Sequence, residues 1–283
     1  MPHHDVMTAE QILARVQDLP PLPEVVNELI RLMNDDGASG DYLADKLARD
    51  PALSAKALRL SNSSFYGLSR QIQTIPEALK VLGRRTVGLM VLAAAASDTL
   101  KVHPHTGFDQ KVFWRHALGA ALIGQALARH LHLNPDLGFT VGLLHDIGQA
   151  AMACIVPDRY RQIQAFRLEH DCPALDAEQA VLGTDHAVIG SLLAERWQFA
   201  PTIVEAIAHH HAPAMHHGPG LVGVAHLADA ISHALGLSGD AHEAVPPTPP
   251  DIWSAMAPGN DACLKLFADV ESQFAGICAA LHV

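Results

Sequence analysis

The sequence predicts an all-α protein, on three observations. Apolar residues recur at the three- and four-residue spacing of a helix almost everywhere. No run of β-branched alternation bounded by hairpin turns interrupts them. Capping residues and prolines fall where the periodic stretches begin and end.

In chain order, "QILARVQDLPPLPEVVNELIRLMN" reads as a helix, a proline-marked turn and a second helix that turns Val25, Val26, Leu29, Ile30 and Leu32 inward. Asp50 and Pro51 make an N-cap and first-turn pair that launches "ALSAKALRLSN". "TIPE", Thr74 to Glu77, has the capping-box pattern, in which each side chain can satisfy a backbone N–H, and Gly83 suits the end of that helix. Residues 84 to 100 are apolar on most sides, as at the centre of a bundle. The polar stretch "KVHPHTGFDQ", 101 to 110, marks a domain boundary. Beyond it helices are expected near 110–132, 136–151, 157–170, 174–182, 186–197, 201–211, 219–237 and 261–281. Between the last two, "HEAVPPTPPD" is expected to be a mobile loop, because its prolines cannot continue a helix.

Composition narrows the function. With 283 residues, 49% of them apolar, the chain can bury one large core or two moderate ones. Lys and Arg total 19 against 30 Asp and Glu, and the formal charge of -11 repels nucleic acid and anionic membrane alike. The longest apolar run, Val87 to Ala96, is far short of the roughly 20 residues that span a bilayer. Cys154, Cys172, Cys263 and Cys278 show neither CxxC spacing nor the density of a disulfide-stapled secreted domain. "MPHHDVMTAE" has no basic stretch followed by an apolar one, so a cytoplasmic protein without membrane or nucleic-acid partners is expected. The outlier is histidine, whose 19 copies equal all the Lys and Arg together.

Several of these histidines fall on core faces. On the helix after Asp109 the inward stripe is Phe113, Ala117, Ala120, Ile123, Leu127 and Leu131, and His116 shares it. Val141, Leu144 and Gly148 set the inward direction of the next helix, with His145 and Asp146 along its edge. A carboxylate buried there requires a partner or a metal. His186 opens "HAVIGSLLAERW", His209 to His211 end "PTIVEAIAHHH", and Asp229 sits among apolar residues in "LVGVAHLADAIS". Taken singly, each has a plainer reading. A lone core histidine is usually bonded to a carbonyl, His209 to His211 suit a helix C-terminus, and Asp229 can pair with His226 or His233 at i-3 and i+4.

Their order is more specific than any one of them. His116, His145 with Asp146, His186, His210 with His211, and Asp229 resemble the ligand set of the HD superfamily of metal-dependent phosphohydrolases, in particular its two-metal HD-GYP variant. That resemblance implies one divalent ion on His116, His145, Asp146 and Asp229, and a second on His186, His210 and His211 bridged by Asp146. Mixed imidazole and carboxylate ligands suit Fe, Mn or Zn, and one or two such ions can activate water against a phosphoester.

The stretches "LPPLPEVVNELIRLMND", "LADKLARDPALSAKALRLSNSSFYG", "IPEALKVLGRRTVGLMVLA", "FWRHALGAALIGQALA", "GFTVGLLHDIGQAAM" and "GTDHAVIGSLLAERWQFAPTIVEAIAHHH" closely resemble HDOD proteins, HD-related output domains of bacterial signalling, from residue 15 to about 235. This implies an N-terminal helical bundle, residues 1–105, packed on an HD-like bundle, residues 106–283, that carries the metal site. HDOD members are regarded as regulatory, working through protein contacts. The chain keeps the ligands but departs from HD-GYP at the catalytic-helix lysine, where Gln149 stands in "HDIGQ", and at the GYP loop, where "HHHAPAMHHGPG" lacks the signature.

Phosphate chemistry also needs positive charge, and residues 111–283 hold only eight Lys or Arg. Arg115, Arg159, Arg161 and Arg196 are the candidates, each equally readable as helix surface. The favoured expectation is a regulatory module whose partner is a separate signalling protein. The alternative is a phosphohydrolase or cyclic-nucleotide phosphodiesterase with a nucleotide ligand.

Overall fold

The computed structural model describes residues 8–24, 26–28, 44–45, 47–48, 50–62, 71–82, 84–213 and 220–281. Among them there are helices and no strands, as the apolar periodicity predicts. The helices are α1 (Ala9–Arg15, continued by a 3-10 turn Val16–Asp18), α2 (Pro51–Ser61), α3 (Ile75–Leu82), α4 (Arg84–Thr99), α5 (Gln110–His130), α6 (Pro135–Leu144), α7 (Ile147–Ile155), α8 (Pro157–His170), α9 (Ala174–Leu182), α10 (His186–Arg196), α11 (Pro201–His209), α12 (Leu221–Ala234), α13 (Pro250–Met256) and α14 (Asn260–Leu281). Among the described residues no single helix is long and apolar enough to cross a membrane.

The chain divides into two units, one of residues 1–20 with 100–258 and one of 21–99 with 259–283. The crossing at residues 99–100 lies beside the polar stretch, but the two ends do not follow the consecutive division 1–105 and 106–283. At the N-terminus the cause is visible. Arg196 donates to the Leu19 carbonyl and to Gln17, Trp197 Nε1 to the Pro20 carbonyl, and Arg15 to the Ile155 carbonyl. These long-range bonds tie residues 8–20 to α7 and α10. In the other unit α14 packs on α2 and buries Cys263, Val270, Phe274, Ile277 and Cys278.

Local chemistry sets the helix starts. Thr8 Oγ1 accepts from Gln11 N while Gln11 Oε1 accepts from Thr8 N, a full capping box. At α3 Thr74 Oγ1 accepts from Glu77 N as expected, but Glu77 reaches one residue further back, to Gln73 N. Asp109, Asn134 and Asp185 cap α5, α6 and α10. Of the second N-terminal helix, Val26 is buried, while Val25, Leu29, Ile30, Leu32 and also Gly83 lie outside the described residues. Helix α13 goes beyond the sequence reading. Pro250 closes the proline-rich loop by starting a helix at N1, where its missing N–H costs nothing.

The helix expected over 136–151 is in fact two. Helix α6 ends at Leu144 and α7 begins at Ile147, with the break at His145 and Asp146. Asp146 adopts φ -98° and ψ 7°, the bridge region that residue pairs at functional sites often use. Apolar periodicity runs through the break because both halves are buried, so the pattern conceals it.

Close backbone contacts hold this unit together. A Cβ on Gly124 would collide with the Gly138 carbonyl, so α5 and α6 touch through bare backbone. Gly148 does the same between α7 and α10, where a Cβ would strike the His186 carbonyl oxygen and come within 2.7 Å of Gly190 N. Gly148→Ala should therefore push α10 away from α7 at the residue that opens it. We expect a loss of about 2 kcal/mol or more, typical of overpacking, measured as a lowered urea midpoint. An unchanged midpoint would contradict this contact.

Candidate metal centre

Five stretches of chain, from six helices, deliver the polar core. Helix α5 carries His116, the α6–α7 break carries His145 and Asp146, α10 opens with His186, His210 and His211 follow α11, and α12 carries Asp229. All are buried except His211, which is partly so.

Asp146 is the meeting point. Its Oδ1 lies 3.1 Å from His186 Nε2, 3.5 Å from His210 Nε2 and 3.6 Å from His145 Nε2. Its Oδ2 is 3.8 Å from His116 Nε2 and accepts from the Gln149 amide at 2.8 Å. Asp229 Oδ1 faces His116 Nε2 at 3.2 Å and His145 Nε2 at 3.6 Å. Two sets of donor atoms each lie within 4.8 Å of one another, His116, His145 and Asp146 in one, and Asp146, His186, His210 and His211 in the other. Asp146 belongs to both.

The far ring nitrogens explain why the Nε2 atoms point inward. His145 Nδ1 is bonded to the Gly142 carbonyl at 2.7 Å, His210 Nδ1 to the Ile207 carbonyl at 2.8 Å, and His186 Nδ1 to Glu178 Oε2 at 2.6 Å. A carbonyl or carboxylate only accepts, so each Nδ1 bears a proton, and each ring, when neutral, offers its Nε2 lone pair to the centre. Glu178 also accepts from His186 N, which fixes that ring from two directions.

Such a ring of lone pairs needs a positive charge. His116 and His145 Nε2 approach to 3.1 Å, and His186 and His211 Nε2 to 2.7 Å. Facing lone pairs at those distances repel unless a proton or a cation joins them. His210 Nε2 is buried without a hydrogen bond, its 3.5 Å approach to Asp146 being electrostatic only. Imidazole and carboxylate donors in this arrangement fit a divalent transition ion.

In the metal-free protein, protons serve instead. Burial alone would raise the Asp146 pKa, but His145 and His186 outweigh it and hold the carboxyl well below 3.8. Asp229 is likewise held well below that value, against its burial, by bonds from His116, His145 and His233. Burial would lower His186, yet Glu178 and Asp146 hold it well above 6.5. His116 and His210 are lowered, chiefly by burial, and His211 is lowered to about 2 by burial beside His210 and His186. Charge is thus divided unevenly, with His186 the principal cation beside Asp146.

The HDOD domain model matches residues 19–213. This chain belongs to the HDOD family. It is similar over its length to solved structures of the same fold. A Shewanella amazonensis SB2B protein provisionally named a phosphohydrolase is 29% identical, with a TM-score of 0.76 over 95% of this chain and 97% of that one. An HDOD domain protein of Geobacter sulfurreducens is 25% identical, with a TM-score of 0.78 over 96% and 97%. An uncharacterized protein of Treponema pallidum (strain Nichols) is 24% identical over 205 residues, 72% of this chain. The HDOD chain spans 39% of that relative's length.

The seven residues singled out in the HDOD sequence, His116, His145, Asp146, His186, His210, His211 and Asp229, all lie in this cluster, divided around Asp146. The plainer pairing of Asp229 with His233 is present as well, at 3.2 Å, while His226 turns to the His210 carbonyl. Sequence reasoning missed Glu178 and Glu243. The signal for Glu178 was an acid on the face that Ala177 and Leu182 bury, and it is only 1% exposed. The histidine stretch replacing the GYP loop falls partly outside the described residues, at 214–219.

Asp146→Asn removes the charge that the histidines compensate. A carboxyl with a depressed pKa contributes stability that is complete above its unfolded value and lost as pH falls through its folded one. In chelator, the variant should be less stable than wild type by about 3 kcal/mol at neutral pH. The gap should begin to narrow below pH 3.8, where Asp146 of the unfolded chain takes up a proton while the folded one stays ionised. Urea unfolding at neutral pH and near pH 3 measures it, and a constant gap would count against this charge balance.

Proposed function

We propose that this HDOD chain is a regulatory protein of the cytoplasm that acts by contact with a separate signalling protein, and that its buried cluster holds one or two divalent ions of iron, manganese or zinc. The observation that carries the regulatory reading is where the positive charge goes. Arg196 is engaged with Leu19 and Gln17, Arg115 with the Ser238 carbonyl, Arg159 with Gln162 and Arg161 with Asp158. All four arginine candidates for a phosphate thus have structural partners.

Gln149 occupies the place of the HD-GYP lysine and donates to Asp146 Oδ2. A neutral amide can orient that oxygen but cannot balance a phosphoryl transition state. A bound divalent ion supplies Lewis acidity and an ordered water. The residues themselves hold and orient. Asp146 is steered by Gln149 and by His186, and His186 by Glu178.

A hydrolase is the second reading, and the full set of inward Nε2 donors favours it. A 29% identical relative carries a provisional phosphohydrolase name, which lends it further support. The two readings part in one experiment. Protein purified without chelator is assayed for metal by mass spectrometry and incubated with bis-p-nitrophenyl phosphate and with cyclic dinucleotides. We expect bound metal, fewer ions per chain in Asp146→Ala than in wild type, a melting temperature that chelation lowers by several degrees, and no turnover. Turnover abolished by Asp146→Ala would establish the hydrolase instead, and metal-free protein would overturn the ion-binding part.

A further inference from the structure

We propose a separate cation site beside the Asp146 cluster, formed by His116, His233 and Glu243 with Asp229 at its edge, and suited to a first-row divalent transition ion. It goes beyond the reading above, because Asp146 has no part in it.

The site follows from how α12 ends. One turn after Asp229, His233 lies on the same face, with Nε2 3.2 Å from Asp229 Oδ1. The chain leaves the helix at Ala234, and its return brings Glu243 back to that histidine. Glu243 Oε1 lies 2.9 Å from His233 Nδ1, and Oε2 accepts from Ser238 Oγ at 2.8 Å. Arg115 Nε donates to the Ser238 carbonyl and Arg167 Nη2 to the His242 carbonyl, so the backbone presenting Glu243 is anchored on both sides. The His116 and His233 ring centroids are 4.3 Å apart, and one donor atom from each of His116, His233 and Glu243 lies within 4.8 Å of the others.

An independent observation comes from His116. The Nδ1 atoms of His145, His186 and His210 are all tied to an acceptor, whereas His116 Nδ1 is buried with no hydrogen-bond partner. An orphaned buried polar atom is costly, and a ligand relieves it. The donors suit an ion. Two imidazoles and one carboxylate supply the donors, the Asp229 charge lies close by on the other nitrogen of His233, and the 2.9 Å separation of His233 Nδ1 and Glu243 Oε1 is close to the roughly 3 Å between ligands bound to one ion at about 2.0–2.2 Å. His233 and Glu243 retain some exposure, which leaves a path from solvent.

The full chain is stripped, titrated with Co(II), and followed by ions bound per chain and by the visible spectrum. Glu243→Gln should bind one ion fewer than wild type. Asp146→Ala should keep one ion, and that ion should be lost when Glu243→Gln is added. A wild-type count unaffected by Glu243→Gln would overturn the inference, as would an Asp146→Ala protein that binds no ion. Either result would leave Asp146-dependent binding standing. Wild type that binds no ion refutes both sites. If Asp146→Ala does not fold, the single Glu243→Gln comparison decides, since Glu243 lies in a partly exposed loop.

Discussion

A carboxylate buried among imidazoles constrains this structure more than any other feature. Asp146 is almost removed from water, and a lone charge there would not survive folding. Its oxygens face His116, His145, His186 and His210, so α5, the α6–α7 break, α10 and the end of α11 are required to meet at one point. The histidines are constrained in return. Backbone carbonyls and Glu178 fix the far nitrogens of three of them, which commits the near nitrogens to the centre. The result is a preorganised ring of donors that any positive charge stabilises.

Backbone packing makes this convergence possible. Asp146 can project its carboxylate because the helix breaks beneath it, and the break is tolerated because α7 sits directly on α10 through Gly148. His186 follows its Asp185 cap at the first turn of α10, where its free backbone N–H meets Glu178. One buried glutamate therefore satisfies a helix terminus and orients a ring. Stability and site geometry draw on the same contacts, so a change that loosens α10 loosens the donors too.

Much of this was legible in the residue order, and the rest was hidden for identifiable reasons. Helix periodicity is strong wherever one face is buried, so most boundaries from Gln110 onward fell within a few residues. The HD helix was the exception, since two consecutive buried helices carry the same apolar pattern as one. The donors could be picked out because each is a polar residue on an apolar face. Glu178 escaped because either of the two acids in "ALDAEQAVL" looks like solvent-facing helix, and its partner lies eight residues away across a turn. Glu243 escaped because a proline-rich loop carries no periodicity from which to infer a direction. The exchange of chain ends between the two units depends on contacts such as Arg196 with Leu19, separated by 177 positions, which no local pattern reports.

The most direct test is crystallographic. Crystals grown without chelator and measured on either side of the iron, manganese and zinc absorption edges should show anomalous density against Asp146, flanked by the Nε2 atoms of His186 and His210. A map without such density, in which those imidazoles turn away from Asp146, would contradict the claim that this carboxylate organises the donors around a cation.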